Sequence, residues 1–172
     1  MQSRLRVGGL GLAFLVLSAC GDMGSSGGVG AAGFQKKYAF ARDALERGQY
    51  DKAAQRFAAI IPRAGPLAPR LRLEYAHALL RAGHFDQASA AAAGLVRELD
   101  GTGRSAALMV QGTAEHELGL TALAAGDRAT GRRHLLAAQT ALSAMIAADP
   151  QLDPMGAMAG RHASIAARLK SI

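Results

Sequence analysis

The 172-residue chain is half hydrophobic, balances 20 Lys and Arg against 13 Asp and Glu, and carries five Phe, three Tyr, no Trp and a single Cys. One cysteine excludes an intramolecular disulfide and a multi-thiolate metal centre, so stability must come from packing, for which the roughly 140 residues beyond the N-terminal region are enough for one core. No aromatic-rich basic stretch, Cys/His finger or reader motif appears, which argues against nucleic acid as a partner.

In chain order, Arg4 and Arg6 precede an apolar run from Val7 to Ala19 that closes on Leu17-Ser18-Ala19-Cys20. The run is too short for a spanning helix, which needs about 20 residues, and its basic start, apolar middle and small closing residues fit an export signal that is removed. Leu17-Ser18-Ala19-Cys20 resembles the lipobox of bacterial lipoproteins. That resemblance implies residues 1–19 as signal peptide and Cys20 as the lipidated N-terminus of a chain anchored in the cell envelope and facing the periplasm. Gly21 follows Cys20, and Asp22 comes next. The inner-membrane retention signal of enterobacterial lipoproteins puts aspartate directly after the cysteine, so this order favours the outer membrane. Loss of Arg4 and Arg6 leaves 18 basic and 13 acidic side chains. Their alternation in sign, as in Arg42-Asp43 and Glu46-Arg47, predicts a solvated mixed surface, with an anionic membrane as its non-specific attractor.

Residues 20–33 read as the lipidated cysteine and a flexible linker, because GDMGSSGGVGAAG is dominated by Gly, Ser and Ala and buries too little to order itself. Gly28, Gly30 and Gly33 have the spacing of a dinucleotide-binding turn, but that motif works only between a strand and a helix N-terminus, and no strand pattern precedes it.

From residue 34 to 172, Ala, Leu, Arg, Glu and Gln recur at helical spacing without period-two alternation, which predicts an all-α domain. Helices are expected near 34–47, 51–62, 68–82, 85–99, 104–125, 128–148 and 155–170. Gly48, Gly83 and Gly126 each stand where a left-handed helix terminus needs glycine, and Asp51, Asp86 and Asp127 lie near the N-termini that follow. Pro66 with Pro69, and Pro150 with Pro154, mark the longer breaks.

The segment Gly48-Gln49-Tyr50-Asp51-Lys52-Ala53 returns 35 residues later as Gly83-His84-Phe85-Asp86-Gln87-Ala88, and more weakly at Gly126, 43 residues further on. This is the period of a helical array: glycine turns the chain, the aromatic wedges between helices, and the alanine lets backbones approach. Gly48, Tyr50, Ala53 and Phe57 resemble the G-x-Y-x-x-A-x-x-x-F core of the tetratricopeptide repeat family. The second copy keeps Gly83, Phe85 and Ala88, with Ala92 for the large residue. The third keeps Leu118-Gly119, Gly126 and Leu135, with Arg128 for the aromatic and Gly131 for the alanine. The resemblance implies a short array of about three helical hairpins over 34–148. Met155 to Ile172 reads as an amphipathic capping helix. The repeat also places Phe40, Ala44, Tyr50, Ala53, Phe57, Tyr75, Leu79, Phe85, Ala88, Leu95, Leu118 and Leu135 in the core.

No catalytic residue, cofactor site or metal site follows from the sequence. Glu115-His116-Glu117 lacks the H-E-x-x-H spacing of a zinc protease helix and reads as solvated. There is no nucleophile elbow or phosphate loop. The alternative class, a metal-binding or enzymatic envelope lipoprotein, would rest on histidines and methionines such as Met155, Met158 and His162, a soft set suited to Cu(I). The leading class is a protein-interaction adaptor. Carried over from the family, the groove positions are Tyr38, Arg42, Arg70, His77, Arg81 and His116, a basic lining suited to an acidic segment or a carboxylate. Small lipoproteins with such repeats resemble assembly lipoproteins of Tad-type pili or a cut-down relative of outer-membrane barrel assembly lipoproteins. This implies a protein partner in pilus, secretion or outer-membrane assembly.

Overall fold

The computed structural model describes residues 28–172; the expected signal segment, Cys20 and the first part of the expected linker lie outside them. Seven α-helices follow one another: α1 (Gly28–Glu46), α2 (Tyr50–Ile60), α3 (Ala68–Ala82), α4 (Phe85–Glu98), α5 (Gly101–Ala124), α6 (Arg128–Ala148) and α7 (Ala157–Lys170), with three short 3-10 turns between them and no strand among the described residues. Helices pair with their chain neighbours, so α1/α2, α3/α4 and α5/α6 form three hairpins stacked in sequence, and α7 packs on α6. Six of the seven predicted helices match to within about three residues at each end, and α1 is the exception. It begins at Gly28 rather than near 34, so residues 28–33 of the expected linker are helical. Ala31 and Ala32 propagate a helix readily once the following turns are nucleated. The Gly28-x-Gly30-x-x-Gly33 spacing therefore lies inside a helix and not at a strand-to-helix turn.

The three turn glycines are equivalent. Gly48, Gly83 and Gly126 have φ of 74°, 83° and 84°, a region closed to residues with a Cβ except at a cost. After each, the next N–H reaches back five residues: Gln49 to Ala44 O at 2.9 Å, His84 to Leu79 O at 3.0 Å and Asp127 to Ala122 O at 2.9 Å. The glycine's own N–H bonds the carbonyl three residues back, which completes the Schellman pattern and satisfies carbonyls the helix end leaves open. Of the following aspartates, Asp127 is a true N-cap, accepting from the Thr130 N–H at 2.9 Å, while Asp51 and Asp86 sit in first turns.

Small residues set the crossing inside each hairpin. Seven positions before the turn glycine stand Ala41, Ala76 and Gly119, and five after it stand Ala53, Ala88 and Gly131; all six are buried. The next turn of each second helix fills the core with Phe57, Ala92 and Leu135, each fully buried. In the third hairpin both small positions are glycine, and a Cβ there would collide. Built on Gly131 it would lie 2.6 Å from Leu123 Cγ, on Gly119 2.9 Å from Leu135 Cγ, and on Gly112 2.7 Å from Leu142 Cγ. Leucine thus fills glycine down the longest and most extensively packed pair of the molecule, once from α5 and twice from α6.

Of the expected core, Ala44, Ala53, Phe57, Leu79, Ala88, Leu95 and Leu135 are buried, and Tyr50, Tyr75, Phe85 and Leu118 are half-buried. Phe40 is the correction, at 48% exposed. Its repeat equivalent Tyr75 faces residues of α2, the second helix of the preceding hairpin, and no described helix precedes α1 to cover Phe40. Its ring is instead flanked by the Arg56 guanidinium at 5.7 Å and the Lys36 ammonium at 5.8 Å, favourable cation–π placements.

The glycine crossing yields two substitutions of opposite sign. Gly131→Ala is expected to lower unfolding stability by about 1–2 kcal/mol, overpacking against Leu123 outweighing the helix-propensity gain. Gly94→Ala in α4, where an added Cβ meets nothing within 4 Å, is expected to raise it by up to about 1 kcal/mol. Urea denaturation midpoints of the two variants, moving apart around the parent value, are the check.

Candidate interaction groove

The first helices of the three hairpins, α1, α3 and α5, share a face, and a pocket of about 280 Å³ opens on it. Its lining comes from all three: Arg42 of α1, Leu73, Glu74 and His77 of α3, and Ala106, Met109 and Val110 of α5. A smaller pocket of about 100 Å³ is lined by Phe34 and Tyr38 of α1 with Leu67, Arg70 and Leu71. Both pockets are walled mainly by apolar side chains.

Between them runs a polar bar centred on Glu74. The Tyr38 hydroxyl donates to its Oε1 at 2.8 Å and Arg42 Nη1 to its Oε2 at 2.8 Å, while Arg70 Nε lies 3.8 Å from Oε1. Burial, and then the Glu74 carboxylate, push the Tyr38 phenol up, so it stays a donor. The hydrogen bond to Glu74 holds the Arg42 guanidinium charged, and its other Nη donates to Glu46 at 3.1 Å. His77 is pushed down by burial and by nearby Arg81 and Arg42, against an opposing pull from Glu74. It lines the pocket as a neutral imidazole.

Four of the six expected groove residues, Tyr38, Arg42, Arg70 and His77, therefore meet on this face, but the expected basic lining does not form. Glu74 pairs closely with Arg42, Arg70 stays largely exposed 3.8 Å from the same carboxylate, and the pocket beside them is walled mainly by apolar side chains. Arg81 lies elsewhere: its guanidinium stacks 4.6 Å from the centre of the Tyr50 ring and bonds the Tyr50 hydroxyl, tying α3 to the start of α2. His116 is covered by α7, accepting from Arg161 Nη1 at 2.7 Å, and the same nitrogen donates to Glu117 at 2.8 Å. Cys20 lies outside the described residues.

Glu115-His116-Glu117 is not the solvated triplet its pattern predicts. Glu115 is held by Ser89 of α4 and by His134 Nδ1 of α6, the latter at 2.7 Å, so the three residues join α5 to α4, α6 and α7. The methionine–histidine set does not converge either. Met155 is 89% exposed, while the Met158 sulfur is turned to the Thr113 hydroxyl at 3.8 Å. Sequence reasoning missed Glu74, Leu73, Met109 and Val110. A signal for Glu74 existed in the repeat register, because Glu74 and Glu117 both stand nine residues before a turn glycine. Each is gripped by an arginine from another helix, Arg42 of α1 and Arg161 of α7 respectively.

Residues 44–111 match the family model described as tetratricopeptide repeat. This segment, from the last turn of the first inner helix through the second hairpin into α5, is a tetratricopeptide repeat array; α6 and α7 lie beyond the match. Repeats of this kind are characteristically scaffolds for protein–protein interaction rather than enzymes. No curated relative and no solved structure matches the chain.

His77 and His116 give the fold a pH dependence of definite sign. Both are lowered from 6.5 in the folded chain, chiefly by burial and then by a neighbouring arginine. The unfolded chain therefore binds protons that the folded chain resists, and the contribution of these sites to stability, full above the unfolded value, is lost as pH falls through the folded values. The thermal midpoint is expected to drop from pH 7.5 to about pH 5, with a shallower fall in His116→Gln, as followed by circular dichroism.

Proposed function

We propose that the chain is a lipid-anchored adaptor of the bacterial cell envelope, which holds an extended segment of a protein partner against the face shared by α1, α3 and α5. The observation that carries this is the pocket lined from three successive inner helices, with a second pocket beside it across the Glu74 bar. Two apolar pockets separated by a polar ridge suit a strand-like segment. Its alternate side chains point the same way and can enter the pockets, while its backbone crosses near the Tyr38 hydroxyl and the Arg42 guanidinium. The partner chemistry is thus aliphatic anchors on an extended backbone, in place of the acidic segment that a basic lining would take. The N-terminal pattern ending at Cys20 supports attachment to a membrane, with the outer membrane favoured by Gly21 and Asp22. A place in pilus, secretion or outer-membrane assembly accords with a small scaffold that has a single binding face.

Photo-cross-linking in cells tests this. A reactive amino acid at His77, in the groove, is expected to give a discrete protein adduct, and one at Gln87, which lines the opposite face with Asp51 and His84, is expected to give none. Met109→Asp, placing a charge in the apolar pocket, should reduce the His77 adduct about tenfold or more with the helical content unchanged. Adducts of equal yield from both positions, or none from His77 in a folded chain, overturn the groove reading.

A further inference from the structure

Ion pairs of arginine are distributed unevenly along the array. Arg42, Arg47, Arg70, Arg72 and Arg161 each lie within 4.0 Å of a carboxylate, and apart from Arg161 all belong to the first two hairpins. The sequence of α6 and α7 contains no acidic residue. At the end where α6 begins and α7 finishes, Arg128, Arg132 and Arg133 stand on the first turns of α6 and Arg168 and Lys170 on the last turn of α7, and none pairs with an Asp or Glu side chain among the described residues. Arg132 Nη1 donates to Leu169 O at 3.2 Å and to Ile172 O at 3.4 Å, which seats the last turn of α7 on the first turns of α6. The nearby Asp127 carboxylate caps α6 by accepting from the Thr130 N–H, and Arg133 is the one pole cation whose charge it feels. Among the described residues, Lys36, Lys37, Lys52, Arg56 and Arg63 of the first two hairpins also lie in no ion pair, so what sets this pole apart is that α6 and α7 carry no carboxylate of their own with which charges could alternate.

The pole also has an apolar component. Arg128, Arg132 and Leu136 follow one another at four-residue intervals, a single row on the helix surface, and Leu136 is 44% exposed. Guanidinium groups pair with phosphate oxygens bidentately, and an aliphatic side chain beside them can enter the boundary between headgroups and acyl chains. We infer that this pole, built from the start of α6 and the end of α7, docks on an anionic phospholipid surface. Because each helix packs on its neighbours along the chain, the pole lies at the opposite end of the array from α1. The contact is additional to any attachment made through residues before Gly28, and does not depend on acylation of Cys20 or on the peptide groove.

The test measures partitioning of the full chain onto phosphatidylcholine vesicles with and without phosphatidylglycerol, and takes the ratio of the two, so that insertion through the N-terminal segment cancels between variants. Each cation near an anionic surface contributes about fivefold. Arg128→Gln with Arg133→Gln, which leaves the Arg132 contacts to α7 in place, is expected to lower the ratio about 25-fold, and added salt should weaken the parent's preference. Lys52→Gln at the other end of the array is expected to change the ratio by less than about twofold. If Lys52→Gln lowers it as much per charge removed, the attraction is one of net charge and the pole is no docking surface. If polyglutamate or duplex DNA in solution outcompetes the anionic vesicles for the chain, the surface serves another class of partner and the assignment fails.

Discussion

Close approach of two helices over a pair of side chains no larger than a methyl is the constraint on which the array depends. Ala41 with Ala53, Ala76 with Ala88 and Gly119 with Gly131 occupy the same places relative to the three turn glycines, and all are buried. Such pairs bring the backbones together while the larger residues one turn on, Phe57 and Leu135, fill the space beyond. The third hairpin carries the principle furthest. With glycine on both sides, the leucines at 123, 135 and 142 sit where a Cβ would stand, and the interior is continuous as protein cores must be.

That crossing also makes the binding face. Each hairpin is fixed internally, so stacking sends α1, α3 and α5 to one side, and the partner-facing residues need only follow the register. The same register places a glutamate at 74 and another at 117, closed by Arg42 of α1 and by Arg161 of α7. These two ion pairs are partly exposed and contribute modestly to stability. Their larger effect is on chemistry: by neutralising Arg42, Glu74 leaves the pocket beside it for apolar side chains.

Much of this was legible because local rules carried it. A left-handed turn excludes a Cβ, so three glycines revealed three hairpins, and the alanine and aromatic positions followed at fixed offsets. What escaped the sequence depended on distance along the chain. Glu74 is defined by Tyr38 and Arg42, 36 and 32 residues away, and the repeat register that singles out its position does not name those partners. Phe40 has the register of a core residue, yet among the described residues no hairpin precedes α1 to cover it. The basic pole escaped because sign alternation, sound for Arg42-Asp43 and Glu46-Arg47, does not extend into α6 and α7.

The position of α1 has a thermodynamic consequence for recognition. Among the described helices it is a terminal one, tied to α2 by packing and to α3 chiefly through Tyr38 and Arg42 on Glu74, yet it supplies one wall of both pockets. In an array whose units are stabilised by their neighbours, such an end opens more easily than the α5/α6 interior, and local opening competes with occupancy of the groove. A guest bound across α1 and α3 therefore draws part of its affinity from holding α1 closed. Amide hydrogens of α1 should become slower to exchange when the groove is filled, while those of α6 are already protected.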